Sequence, residues 1–397
     1  MNMVVSKDRV KQLMDEVRMV FESPENQARA EFWKPIPDED WQLAYIRTLP
    51  NRKPGQKIPF VVEPGLGMWS QILGFNLGDY YTSPLVYLTV QLMIKLYHAS
   101  HFKDDTYIDK SFRLMFATTL EASLLGASFH FTRNGHPWID YSNPPIKSLE
   151  DIENLKLPDF FHSGTMPEIH RFYEEMRSLL DDDFLIKFPE WIMGPMGVAI
   201  QLRGFEKLLM DLIESPEEAN QLLKKIVEAR KSWQSEADKF LDKKRNYGVL
   251  GNDDVNVPII SPPQYKNIFL PIEKELCNYY GGIFYWHSCG NVTRLLPYIS
   301  TIPRLKLFHC GPWTDVEKSC EVFEDADTSL EIMVEPVDKV QKASKEKQNE
   351  YLKEIVQAIP PQTNGYIKVD SLEVISDLSS DLSQVLQWIA VARGILG

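Results

Sequence analysis

From Ile58 onward short apolar runs alternate with segments of helical pattern, and this alternation constrains the fold more than any other feature of the chain. Strands separated by helices pair in parallel, because the crossover needs a dozen or more residues and lays its helix across the sheet. The clearest strands are Ile58 to Glu63, Phe184 to Phe188, Gly248 to Leu250, Gly282 to Trp286, Leu305 to Phe308, Leu330 to Glu335 and Gly365 to Val369. Caps mark the helices between them. Ser215-Pro216-Glu217-Glu218 combines an N-cap, a proline in the first turn and a capping-box glutamate, and Ser261-Pro262-Pro263-Gln264 repeats the device. After the second cap, Tyr265, Ile268, Phe269, Ile272 and Leu276 keep the spacing of one buried helical face. With 397 residues and 44% hydrophobic content, the economical way to cover such a sheet is a closed (β/α)8 TIM-type barrel.

The barrel is expected over residues 57–397, preceded by an extension over residues 1–56 that packs on it. In that extension Lys7 to Phe21 reads as an amphipathic helix with Val10, Leu13, Met14, Val17, Val20 and Phe21 on one face, followed by a Trp- and Pro-rich stretch. A hairpin insertion is expected near residues 127–141, where Asn134-Gly135 has the chemistry of a primed turn, overhanging the barrel mouth.

Charge and cysteine usage exclude several classes of function. The first twenty residues carry too many charges for a signal peptide, and the uncharged run from Tyr80 to Ile94 stops at Lys95, too short to span a bilayer. A net charge of −13 without a basic stripe argues against nucleic acid and against an anionic membrane surface. Four cysteines cannot staple a chain of this length, so a reducing, cytoplasmic setting is expected, with the thiols buried, ligating or catalytic.

In barrels of this kind the chemistry gathers where strands end. Ile283 to Trp286 leads straight into His287-Ser288-Cys289-Gly290-Asn291. Residues two apart on a strand face the same side, so His287 and Cys289 project together, an imidazole and a thiol of the kind a tetrahedral zinc site selects. Two buried core residues would have the same pattern. Carboxylates crowd the same rim: Glu63 and Glu335 each close an apolar strand before a proline, and Glu190, Asp253 and Asp254 follow other strands. Asp315 and Asp370 read as caps of the next helices, and Lys339 to Glu354 as a solvated helix face.

With these residues laid out, the chain resembles the uroporphyrinogen decarboxylase superfamily, and within it the zinc-dependent corrinoid methyltransferase branch. The resemblance rests on Gly194-Pro195-Met196-Gly197-Val198-Ala199, on Asp253-Asp254 followed by Ser261-Pro262 and Phe269-Leu270-Pro271, and most specifically on His287-Ser288-Cys289-Gly290-Asn291. It implies zinc held by His287 and Cys289, and methyl transfer between a small substrate and a corrinoid carried on a partner protein. Zinc would activate an acceptor thiol or polarise a methyl donor. Two departures accompany it. The last strand, Gly365 to Asp370, lacks the cysteine that usually supplies the third ligand, which leaves Cys310 or Glu335; Cys277 and Cys320 read as packing residues. The decarboxylases' N-terminal Arg-Gln-Ala-Gly-Arg signature is also missing, and Arg29, Arg47 and Arg52 do not rebuild it.

The expected proton-handling set is Glu63, Glu190 and Asp253, with Trp69, Trp191 and Asn291 against the corrinoid or substrate. No Asp-x-His-x-x-Gly segment of a cobalamin module is present, so the corrinoid is expected on the partner. A metal-free lyase of the decarboxylase type and a non-catalytic metal-binding barrel are the alternative functions.

Overall fold

The computed structural model describes residues 4–35, 49–132, 135–324 and 326–397. Arg47, and Asn134 of the expected hairpin turn, lie outside the described residues. Six parallel strands form one continuous sheet: β1 (Phe60–Pro64), β8 (Gly365–Leu372), β7 (Ser329–Met333), β6 (Leu305–Cys310), β5 (Ile283–His287) and β4 (Gly248–Gly251), in that spatial order. Two shorter strands, β2 (Ser111–Arg113) and β3 (Leu185–Lys187), pair in parallel with each other. A bridge from Met193 to Gly251 joins the β3 side to β4. At the remaining seam, between β1 and β2, aspartate side chains replace a ladder. The Asp105 carboxylate accepts from the Phe60 amide at 3.1 Å, the Asp104 carboxylate accepts from the Val62 amide at 2.8 Å, and the Asp105 amide donates to the Phe60 carbonyl at 2.9 Å. The result is a (β/α)8 barrel of the TIM type.

Seven of the strands fall on the apolar runs of the sequence. The eighth, β2, is three residues in which Arg113 breaks the apolar pattern before Leu114-Met115-Phe116, and its pairing with β3 defines it. A small antiparallel hairpin, Phe129–His130 with Trp138–Ile139, lies between β2 and β3, and its Trp138 is 45% exposed.

The N-terminal helix Lys7–Glu22 is capped by the Ser6 hydroxyl and buries Val10, Leu13, Met14 and Val17 against the helix Pro84–His101. Trp33 then reaches into a cluster with Val61, Val249, Tyr285, Leu307 and Tyr366, donating its indole N–H to the Asp105 carbonyl at 2.8 Å. These residues belong to β1, β4, β5, β6 and β8 and stand two positions before Glu63, Gly251, His287, His309 and Lys368. Strand alternation therefore puts both sets on the inward face, the first as the packed floor and the second as the layer above it. No described helix is long and apolar enough to cross a membrane.

Candidate metal centre

The strand register brings the centre together. Trp286 of β5 is the partner of Phe308 on β6, so His287 and His309 follow in step and share the inward face. Their rings lie 4.1 Å apart, centroid to centroid. Cys289, two residues beyond His287, returns to the same face with its Sγ 3.4 Å from His287 Nε2. One ligand atom from each of His287, Cys289 and His309 can be chosen so that all lie within 4.8 Å of one another, the one such group among the described residues. A tetrahedral zinc ion, with bonds of about 2.0–2.3 Å, holds its ligands roughly 3.3–3.8 Å apart. Closure of about an ångström would complete the set.

A proton ladder behind the rings fixes which nitrogens face the centre. The Tyr285 hydroxyl donates to Glu331, and lies 2.9 Å from His287 Nδ1 and 3.2 Å from His309 Nδ1. Glu331 accepts from His309 Nδ1 at 2.7 Å and from the Tyr366 hydroxyl, all fully buried. With Nδ1 of His309 carrying its proton toward Glu331, His309 Nε2 keeps its lone pair and is buried without a hydrogen-bond partner, while His287 Nε2 faces Asp253 and Cys289. A carboxylate behind an imidazole whose far nitrogen is open is the arrangement that supports metal-bound histidine.

The electrostatics ask for a cation at the same point. Burial disfavours the His287 imidazolium, yet Asp253, 3.2 Å from Nε2, and the Cys289 sulfur raise its pKa well above the ordinary histidine range. Burial would push the Asp253 carboxyl up, but hydrogen bonds from His287 and from the Cys289 amide, the latter at 2.8 Å, outweigh it and hold it well below the usual carboxylate range. Burial, with the neighbouring His287 charge, lowers His309 against the pull of Glu331, so its neutral, ligating form is favoured. The orphaned Nε2, the thiol and this demand for positive charge fit a zinc ion.

Two ligands expected from sequence are corrected. Cys310 lies on the opposite face of β6 from His309: its Sγ packs 3.4 Å from the Ser319 hydroxyl, fully buried, and burial pushes the thiol up to about 12. Glu335 lies beyond the end of β7 and spends both oxygens on the amides of Val337, Asp338 and Lys339 at the start of the following helical turn. It is a cap. His309 stands in the third position instead, where the pairing of Trp286 with Phe308 sets it beside His287.

The other expected residues divide. Glu63 lines the mouth with Oε2 3.5 Å from Lys368 Nζ, and Trp69 lines the same cavity against Tyr97, His98 and Phe102. Glu190 is 3% exposed, ion-paired to Arg245 at 3.4 Å, and raised by burial; it lines a second cavity that also reaches Asp253 and His287. Trp191, one position on, points the other way into the core against Trp233 and is fully buried, so it touches no cofactor. Asn291 is turned away as well; its side chain accepts from the Thr293 amide at 3.0 Å on an outer loop. Asp315 caps its helix through the Lys318 amide, but Asp370 does not cap: it ion-pairs with buried Lys368 and lines the inner cavity. Tyr285, Glu331 and Lys368 escaped the sequence reading because isolated polar residues inside apolar strands give no local signal.

One cavity adjoins the centre, and a second adjoins the first. One of about 250 Å³ runs from Arg113 to His287, and one of about 630 Å³ extends past Trp69 and Tyr80; both are walled by Arg113, Met115, Ala117 and Thr118. The Gly-Pro segment shapes this region: the Gly194 amide donates to the Gly251 carbonyl at 2.8 Å, and a Cβ there would sit 1.9 Å from Asn252 Oδ1. Buried Glu121 accepts from the amides of Ile192 and Met193 at 2.7 and 2.9 Å.

An eight-stranded parallel barrel with a His-Cys-His cluster at the carboxyl ends of neighbouring strands defines a TIM-barrel protein with a candidate metal centre. The chain belongs to the uroporphyrinogen decarboxylase (URO-D) family, whose match extends over residues 86–368. Among solved structures it is similar to a methyltransferase from Methanosarcina mazei, with 16% identity and a TM-score of 0.62 over 87% of this chain and 96% of that one. No curated protein matches the chain.

Proposed function

We propose that this protein is a methyltransferase that moves a methyl group between a small substrate and a corrinoid carried on a partner protein, with zinc held by His287, Cys289 and His309. The observation that carries the reading is the convergence of two imidazoles and one thiol at the end of the inner cavity, with both Nδ1 atoms engaged by Tyr285 and Glu331. The similar fold of the Methanosarcina mazei methyltransferase supports it.

When bound, zinc supplies Lewis acidity, which lowers the pKa of a coordinating thiol or polarises a donor heteroatom. The chain's own residues do the rest. Tyr285 and Glu331 hold the imidazole rings and their protons. Asp253, beside the centre and held ionised, offers a negative charge that favours a cation there. Glu190, its carboxyl raised by burial against the pull of Arg245, lines the far wall of the cavity, from which it can exchange a proton. Trp69 and Glu63 border the outer cavity from which a carrier would present its methyl group, within a near-attack distance of about 3–3.5 Å.

The test is spectral. Zinc-loaded protein mixed with methylcobalamin and a panel of thiols should shift the corrinoid absorbance on demethylation, or reduced cobalamin should become methylated by a methylated donor. No change in either direction, in free or protein-bound corrinoid, would move the assignment to a decarboxylase-type lyase.

A further inference from the structure

The carboxylates of the inner cavity are held in two ways. Asp253 faces His287 at 3.2 Å, Glu190 faces Arg245 at 3.4 Å, and Asp370 is held by Lys368, so these three have charged partners. Glu121, in the short helix Leu120–Leu124, is tied to the backbone instead. It is 3% exposed, and its Oε1 accepts from the amides of Ile192 and Met193 at 2.7 and 2.9 Å. That segment is itself laddered to β4: the Gly251 amide donates to the Ile192 carbonyl at 2.7 Å, and the Gly194 amide to the Gly251 carbonyl at 2.8 Å. The carboxylate is therefore fixed in place.

Both hydrogen bonds that other described residues give it fall on Oε1, and a carboxylate can accept at about four lone-pair sites. Oε2 is left to the cavity that Glu121 lines. Met115, Phe116, Leu120, Ile169 and Met193 line the same space and bring no side-chain donor to it. A buried acceptor without a donor costs free energy, and a ligand that supplies the donor recovers it. Charge is not what is missing, because Arg230 already acts on Glu121.

We propose that Glu121 Oε2 accepts a hydrogen bond from a neutral N–H or O–H group of the small substrate, whose opposite end reaches the His287 cluster. A substrate carboxylate there would meet like charge, and an ammonium would add a cation where Arg230 already serves. The apolar body lies against Met115, Phe116 and Met193, in a space of about 250 Å³ that suits a small molecule. Only the role of the opposite end rests on the methyl-transfer reading. The donor-reading subsite stands on the geometry of Glu121.

The experiment is a 19F NMR titration of the purified full-length protein with 5-fluoroindole, whose ring N–H donates, and with its isostere 5-fluorobenzofuran, whose ring oxygen only accepts. The indole should bind at least about tenfold more tightly, because a site built around a polar partner rejects the analogue that leaves it unpaired. Glu121→Gln is the second arm. The amides of Ile192 and Met193 keep the side-chain oxygen on their side and turn its NH2 to the cavity, so the preference for the indole should be lost. It should persist in Cys289→Ser, which alters only the metal centre. Equal affinity for the two probes, a preference for the benzofuran, no binding of the indole, or tighter binding of the cation 4-fluorobenzylammonium overturns the proposal, whether or not the variants fold. An unchanged preference in folded Glu121→Gln also overturns it. A persistent preference for the indole with no corrinoid chemistry would overturn the methyl-transfer reading and leave the subsite standing.

Discussion

Glu331→Gln is the substitution that most cleanly separates the His309-centred site from its alternatives. Glu331 has no solvent exposure and accepts from His309 Nδ1 at 2.7 Å, from Tyr285 and from Tyr366, with Lys368 Nζ 3.8 Å away. The amide keeps the shape but removes the charge and turns one acceptor oxygen into a donor. If the new NH2 faces His309, the ring must move its proton to Nε2, where it blocks ligation. Loss of a carboxylate behind a metal-bound histidine typically costs about 10–100-fold in metal affinity. At about 1.4 kcal/mol per decade, that is roughly 1.4–2.7 kcal/mol of zinc binding. The assay is competition for zinc against a chromogenic chelator in metal-free buffer, with circular dichroism to confirm that the variant is folded. Cys310→Ser is the companion, because Cys310 packs on Ser319 and should leave zinc affinity unchanged. Unchanged affinity in Glu331→Gln, or a large loss in Cys310→Ser, would refute the assignment of His309 as the third ligand.

Trp191→Ala should destabilise the fold by about 3–5 kcal/mol, as expected for a fully buried indole, and Trp69→Ala, which strips an indole packed on Tyr97, His98 and Phe102, should also cost several kcal/mol; urea unfolding of both variants checks this. Glu190→Ala strips the ion-pair partner from buried Arg245 and should cost about 3–5 kcal/mol, and a loss under about 1 kcal/mol would show that the pair is dispensable. Glu273, which accepts from Tyr265 at 2.6 Å, Trp286 at 3.0 Å and Asn252 at 2.9 Å, is raised by burial to about 7. The folded state therefore binds the proton that the unfolded chain releases near pH 4.5, so this group's contribution falls by roughly 3 kcal/mol between about pH 4.5 and 7 and is flat above. In Glu273→Gln that slope should disappear from chemical denaturation measured across this range, and an unaltered slope would place its origin elsewhere.

Most of the barrel was legible because seven of its strands are apolar runs of the length a sheet buries on both faces. The eighth, Ser111–Arg113, carries a charged residue between Phe112 and Leu114-Met115-Phe116, and its pairing with Leu185–Lys187 defines it. In the centre, His287 and Cys289 could be paired because a strand's period of two is local. The third ligand could not be chosen the same way. It depends on how two neighbouring strands register, a matter of long-range packing, and the thiol at the end of the next strand, Cys310, belongs to the other face of that strand. Glu335 misled for a related reason: a carboxylate after a strand looks the same in sequence whether it lines a pocket or caps the next turn, and here the amides of Val337 to Lys339 claim it. Trp191 failed on side-chain direction, one position off the face of Glu190, and Asn291 failed because the chain past the strand end carries it onto an outer loop, where it accepts from the Thr293 amide.

X-ray absorption at the zinc edge of the zinc-loaded protein tests the central claim most directly. Coordination by His287, Cys289 and His309 should give one sulfur at about 2.3 Å and two imidazole nitrogens at about 2.0–2.1 Å, with a remaining light-atom position open to substrate or water. The sulfur shell should vanish in Cys289→Ser and stay in Cys310→Ser. Two sulfurs in the native shell, or one imidazole with the rest oxygen, would contradict the His-Cys-His centre.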